Sequence, residues 1–210
     1  MDQIRGNILA NIRKSLGREQ ANSEILAKRL ATHPVHEQSA LEPDLVARFT
    51  KQLEKSASTF TSAHSSTQIS SLVLEFLLKH NLPRKIVIDS RFCTLAWPPK
   101  LQFAARKANN EDRTSVSYAF AGVAETGSLV LLSSSTSPTT LNFLPANHII
   151  VLARDNLLAH IEDVWPRLRA HSIPRTVNFI TGPSRTADIE QTIQLGAHGP
   201  KRLHVILVEK

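Results

Sequence analysis

The sequence predicts an α/β domain with a largely parallel sheet and a helical arm at its N-terminus. Three observations predict it. Short runs that are apolar on both faces, such as Ser128–Leu132, His148–Ala153 and Leu203–Val208, read as strands buried on both sides. These runs alternate with segments of helical spacing, the order that produces a parallel sheet covered by helices. Hydrophobic residues make up 41% of the chain but aromatics only 5%, so the core must rest on Leu, Ile, Val and Ala.

The elements follow in chain order. Ile4, Ile8 and Ile12 recur at helical spacing, with Leu9 and Leu16 beside them and Gly17 as a stop. Ile25, Leu26 and Leu30 begin a second short helix that ends before Pro34. The polar, proline-flanked stretch from His33 to Pro43 reads as a linker. Leu45, Val46, Phe49, Leu53 and Phe60 predict another amphipathic helix. Residues 1–62 therefore form an arm and linker with too few apolar residues for a core of their own, and 63–210 form the α/β domain. Within that domain Ile69–Leu78 reads as helix and Lys85–Asp89 as strand. Thr114–Ala121 is β-prone, Thr139–Leu144 is a short helix, and Thr176–Ile180 is a strand. Leu157, Leu158, Ile161, Val164 and Leu168 predict one helix over Asn156–Ala170, capped by Asp155 and disturbed by Pro166.

Composition narrows the function. The 210 residues carry a formal charge of +7, which suits an acidic partner or an anionic ligand. The basic residues are scattered and no aromatic platform interleaves with them, so nucleic-acid binding is not expected. Cys93 is the single cysteine, which rules out an internal disulfide and a cysteine-ligated iron–sulfur cluster within the chain. His33 and His36, like His198 and His204, lack zinc-site spacing, so no metal site is expected. Ser133-Ser134-Ser135 lacks the Gly-x-Ser-x-Gly elbow of the α/β hydrolases. Neither an apolar signal-peptide block nor a membrane span is evident, and the expectation is a cytoplasmic protein.

Three turns could carry chemistry. In Gly122-Val123-Ala124-Glu125-Thr126-Gly127-Ser128 the glycines allow a tight backbone path that presents Glu125 as nucleophile or base. Equally, Glu125 could only satisfy turn amides or an arginine. The second turn, Gly182-Pro183-Ser184-Arg185-Thr186-Ala187-Asp188-Ile189-Glu190, follows a strand. A helix starting there would place amides at the carboxyl edge of the sheet as an anion cradle. Ser184 and Thr186 would cap or hydrogen-bond, and Arg185 would pair with a carboxylate or phosphate. The other reading is an ordinary cap with a solvated arginine. In Leu195-Gly196-Ala197-His198-Gly199-Pro200, His198 could act as an acid–base group, with Lys201 and Arg202 adding positive potential. A structural turn fits that segment as well.

Together these segments resemble the LUD-domain family, and within it the small, cysteine-poor type found in bacterial lactate-utilisation systems. The resemblance also takes in Asn7-Ile8-Leu9-Ala10-Asn11-Ile12-Arg13 and Leu144-Pro145-Ala146-Asn147-His148, so it covers nearly the whole chain. It implies a Rossmann-like fold similar to the sugar-phosphate isomerase and CoA-transferase group. It implies an accessory subunit in oxidation of L-lactate to pyruvate, with iron–sulfur clusters on partner subunits and no cofactor in this chain. It also implies a shared ligand site formed by Glu125, Thr126 and Gly127 with Gly182, Ser184, Arg185 and Thr186. The alternative is a stand-alone enzyme or binding protein for an anionic ligand: a carboxylate, a CoA ester or a phosphate. Ser128 stands where the family more often has threonine, which keeps the hydroxyl.

Overall fold

The computed structural model describes residues 2–17, 22–32, 37–186, 194–195 and 199–209. The chain divides into two units, Met1–Ser39 and Ala40–Lys210. The first contains α1 (Asp2–Ser15) and α2 (Ser23–Ala31). The Asn22 side chain caps α2 by accepting from the amides of Glu24 and Ile25. No residue of α2 is buried, and Ile4, Ile8 and Ile12 of α1 are exposed, as expected of helices without a core of their own.

The second unit runs α3 (Leu45–Lys55), β1 (Thr59–Ala63), α4 (Ile69–Lys79), β2 (Lys85–Ile88), β3 (Gln102–Ala104), β4 (Thr114–Tyr118) and β5 (Ala121–Val123). It continues with β6 (Ser128–Leu132), α5 (Thr140–Phe143), β7 (Asn147–Ala153), β8 (Leu157–Leu158), α6 (Val164–Arg169) and β9 (Val177–Ile180). It ends with β10 (Arg185–Thr186), β11 (Gln194–Leu195) and β12 (Arg202–Val208). Six strands in the order β1-β12-β7-β4-β2-β3 form one sheet, and all its pairings are parallel. This is the predicted α/β fold.

The division of the chain lies at Ser39/Ala40 rather than at 62/63. The reason is burial: Phe49 and Leu53 of α3 are fully buried, and β1 pairs with β12 along its whole length. Phe60, read from sequence as a helix position, belongs to that strand.

Strand alternation sends side chains to two cores. Ile149 and Val151 of β7, with Ile206 and Val208 of β12, face α4 through Val73, Phe76 and Leu77. Ile150 and Leu152, with Val205 and Leu207, face α3 and a second sheet through Phe49, Leu53, Leu129 and Leu131. That second sheet has four strands in the order β8-β5-β6-β9, with β5–β6 and β6–β9 antiparallel. On its other side, Ala121, Val123 and Val130 pack with Val164 of α6.

Three expectations change here. The helix predicted over Asn156–Ala170 is only α6. Leu157 and Leu158 instead pair with Gly122 and Val123, and Pro166 falls in the first helical turn, where its missing N–H costs nothing. The strand before Gly182, β9, lies in the second sheet and not in the parallel one. The expected helix after Gly182 is replaced at Arg185–Thr186 by a strand pairing antiparallel with Gln194–Leu195. Residues 187–190 of that motif lie outside the described residues.

Candidate functional site

Glu125 stands at the turn between β5 and β6. Its amide donates to the Ala159 carbonyl at 3.0 Å, and the preceding Ala124 amide donates to Leu158 at 2.8 Å. These bonds fix the turn against the segment that follows β8. That segment brings His160 to the carboxylate: His160 Nδ1 lies 3.3 Å from Glu125 Oε2. The approach is close but not aligned for a hydrogen bond, and Nδ1 is otherwise buried without a partner among the described residues. The His160 amide donates to Asp163 Oδ2 at 2.9 Å, which holds the backbone in place. A partly buried carboxylate beside an imidazole can pass a proton to or from a bound group.

A chain of hydroxyls joins the first two turns. Thr126 Oγ1 lies 2.7 Å from Ser128 Oγ, which lies 2.6 Å from Thr181 Oγ1, next to Gly182. Both turns also close on the C-terminal end of α3. Gly127 has φ +72°, and a Cβ there would stand 2.7 Å from Gln52 Cβ and 2.9 Å from the Gln52 carbonyl carbon. Gly182 has φ +85°, and a Cβ there would stand 2.5 Å from the Ser56 carbonyl oxygen. Only glycine combines that backbone with that approach. The structure therefore brings Glu125, Thr126, Gly127 and Gly182 into one neighbourhood.

The amide cradle expected after Gly182 takes a different form. Pro183 has no amide hydrogen, and the Ser184 amide donates to the Pro200 carbonyl at 2.9 Å. Arg185 and Thr186 belong to β10, where Arg185 is exposed and makes no ion pair among the described residues. Glu125 pairs with His160 rather than Arg185. The turn also lies beside the amino ends of β1 and β12, not at the carboxyl edge of the parallel sheet, because β9 runs in the second sheet. There Pro183 borders a cavity of about 400 Å³ with Phe76, His80, Lys201 and Arg202. Positive charge at this edge thus comes from side chains rather than free amides. Glu125 does not line the cavity. His198 lies outside the described residues, as do His33 and His36. Among the described residues, no three His, Cys, Asp or Glu side chains are grouped to hold a metal ion.

Two histidines near this edge are shaped by burial. His204 faces Thr59, its Nδ1 2.8 Å from Thr59 Oγ1, and burial with the charges of His80 and Lys79 lowers its pKa to about 4. Burial, then Arg202 and Lys79, lowers His80 below the usual imidazole range. His160 and His80 were missed as site residues from sequence. His160 sits in a stretch whose apolar spacing reads as helix, and no local pattern links it to Glu125.

Residues 96–208 match the family model of the LUD domain, more than half of the chain. The chain belongs to the LUD domain family. Its LUD domain contains the Glu125 and Gly182 turns and every strand of the two larger sheets except β1 and β2. The chain is 30% identical over 108 residues to the lactate utilization protein C of Anoxybacillus flavithermus, covering 51% of this chain and 47% of that protein. It thus spans about half the length of several of the curated relatives it matches. Along nearly the full length of both chains, 98% and 96%, it is 25% identical to the lactate utilization protein C of Bacillus subtilis. A crystal structure of a DUF162 family protein from Deinococcus radiodurans shares the fold. The TM-score is 0.62 at 16% identity, over 81% of this chain and 99% of that one. No helix among the described residues is long and apolar enough to cross a membrane.

Proposed function

We propose that this chain is an accessory subunit of a system that oxidises L-lactate to pyruvate, acting in the cytoplasm beside iron–sulfur subunits. The observation that carries this reading is its near end-to-end similarity to a protein named for lactate utilisation. One cysteine, exposed Cys93, cannot hold a cluster, so electron transfer is assigned to partner subunits. In the native organism, deletion of the gene is expected to abolish growth on L-lactate, and the chain is expected to co-purify with cluster-bearing subunits. Normal growth on L-lactate after deletion, with recovery of the chain alone, overturns the reading.

A second reading is favoured by the Glu125–His160 pair. In it the chain is a small-molecule enzyme in which Glu125 acts as base or nucleophile on an anionic ligand. The variant Glu125→Gln separates the two. An accessory subunit with this substitution restores lactate growth to the deletion strain. An enzyme with it folds normally and fails to do so.

A further inference from the structure

A second cavity lies on the opposite edge of the parallel sheet from the Gly182 turn. After β2 the chain leads to β3 on one side, and after β4 it leads, by way of the second sheet, to β7 on the other. The crevice between the carboxyl ends of β2 and β4 is therefore the point where connections diverge, the place where open parallel sheets bind ligands. A cup of about 390 Å³ opens there. Arg91 enters it from the turn after β2, Tyr118 from the end of β4, Phe120 from just before β5, Arg167 from α6 and His171 from the loop that follows it. Ser134 and Thr136, on the loop after β6, add hydroxyls.

The two arginines are held rigidly and differently. Arg91 Nε and Nη2 donate to Asp89 Oδ1 and Oδ2 at 3.0 and 2.7 Å, and its guanidinium lies 4.7 Å over the Tyr118 ring. Asp89 is fully buried and does not line the cup. Burial alone would raise its carboxyl, but the hydrogen bonds from Arg91 hold it below the ordinary range, so the pair stays ionised. Nη2 of Arg91 also donates to the Tyr118 carbonyl at 3.4 Å, which leaves Nη1 without a partner among the described residues. Arg167 lies 5.2 Å over the Phe120 ring and donates to Asn156 Oδ1 through Nη2. It makes no ion pair among the described residues, and no acidic side chain lines the cup. Two guanidinium groups against one buried carboxylate leave a net positive charge facing an aromatic floor.

We propose that this cup binds a small organic carboxylate. Its carboxylate would be shared between Arg167 and Nη1 of Arg91, and its planar or apolar body would rest on Phe120 and Leu132. Guanidinium groups recognise phosphate too, but the aromatic and leucine floor has nothing to offer a bare phosphate. The site is separate from Glu125 and from the Gly182 turn, and it stands or falls independently of the lactate reading.

Titration of the full-length chain with pyruvate, benzoate and inorganic phosphate, followed by amide chemical shifts, tests it. Saturable shifts are expected for the two carboxylates, concentrated at Ser134, Thr136, Asn156 and His171. In Arg167→Gln their dissociation constants should rise about tenfold or more, the weight of one lost charge-assisted contact. Arg167→Lys, which keeps the charge but loses the fork, should fall between. If Arg167→Gln does not fold, His171→Ala, exposed just after α6, should weaken binding severalfold in its place. Absence of saturable shifts, affinity unchanged in the folded variant, or saturation by phosphate alone overturns the proposal.

Discussion

Gly127 shows how much one backbone angle carries. Its left-handed φ turns β5 into β6 and lets α3 come within contact of the turn, so Gln52 packs where a side chain would otherwise stand. Gly127→Ala should therefore destabilise the domain by about 2–3 kcal/mol, since left-handed strain alone is worth 1–3. A shift of the urea midpoint at unchanged slope measures it. Gly6, in α1, has open space around its Cα, and Gly6→Ala is the matching variant that should not destabilise. Glu125 belongs to a different class. Its side chain is 31% exposed, so its pairing with His160 is screened and should contribute under about 1 kcal/mol. Glu125→Gln should then leave the urea midpoint nearly in place, so a lost activity in that variant would report chemistry rather than unfolding.

At the scale of elements, α3 couples the two motif-bearing turns to the parallel sheet. Asp44 caps it by accepting from the amides of Val46 and Ala47, and Phe49 and Leu53 drive it between the sheets. Phe49→Ala should cost about 3–5 kcal/mol by the cavity it leaves, read as a lower thermal midpoint. Most of this was legible beforehand: the spacing of Leu45, Val46, Phe49 and Leu53 marks the helix and its buried face. What it packs against is not, because an amphipathic stripe does not name its partner, and the sequence alone leaves α3 in the arm. The segment from Asn156 to Ala170 failed for a related reason. Leu157 and Leu158 fit a helical period by chance of spacing, and only pairing with distant Gly122 and Val123 makes them a strand. Ser128–Leu132, His148–Ala153 and Leu203–Val208 are legible as strands because burial on both faces leaves an apolar signature that needs no partner to recognise.

Across the whole molecule, two buried histidines on neighbouring strands set an acid limit. His148 on β7 is completely buried, bonds Ser117 through Nε2, and has its pKa lowered by burial to about 3. His204 on β12 is held at about 4. Both are lowered in the folded state, so the unfolded chain takes up protons first as pH falls below about 6.5. Stability is therefore unaffected by these groups above that pH and declines through the window from 6.5 towards their folded values. At pH 5 each should cost about 2 kcal/mol relative to neutral pH. Urea denaturation at pH 7 and pH 5 checks this: His204→Gln should shrink the loss by roughly that amount, and an unchanged loss would refute the assignment. Asp89 and Asp112, both lowered by arginine partners, act in the same direction only when the pH falls further, through the carboxylate range.

The sequence by itself determined the α/β class, the buried strands, most helices and the two turns that carry Glu125 and Gly182. Those features follow from local energies: apolar period, capping and the backbone freedom of glycine. The tertiary structure alone decided which sheet β9 joins, and so moved the Gly182 turn from the carboxyl edge to the amino edge of the parallel strands. It alone set His160 beside Glu125, and Arg91 and Arg167 around one cup. Strand order and side-chain meetings between segments far apart are fixed by the packing of the whole core, and no short stretch of chain encodes them separately.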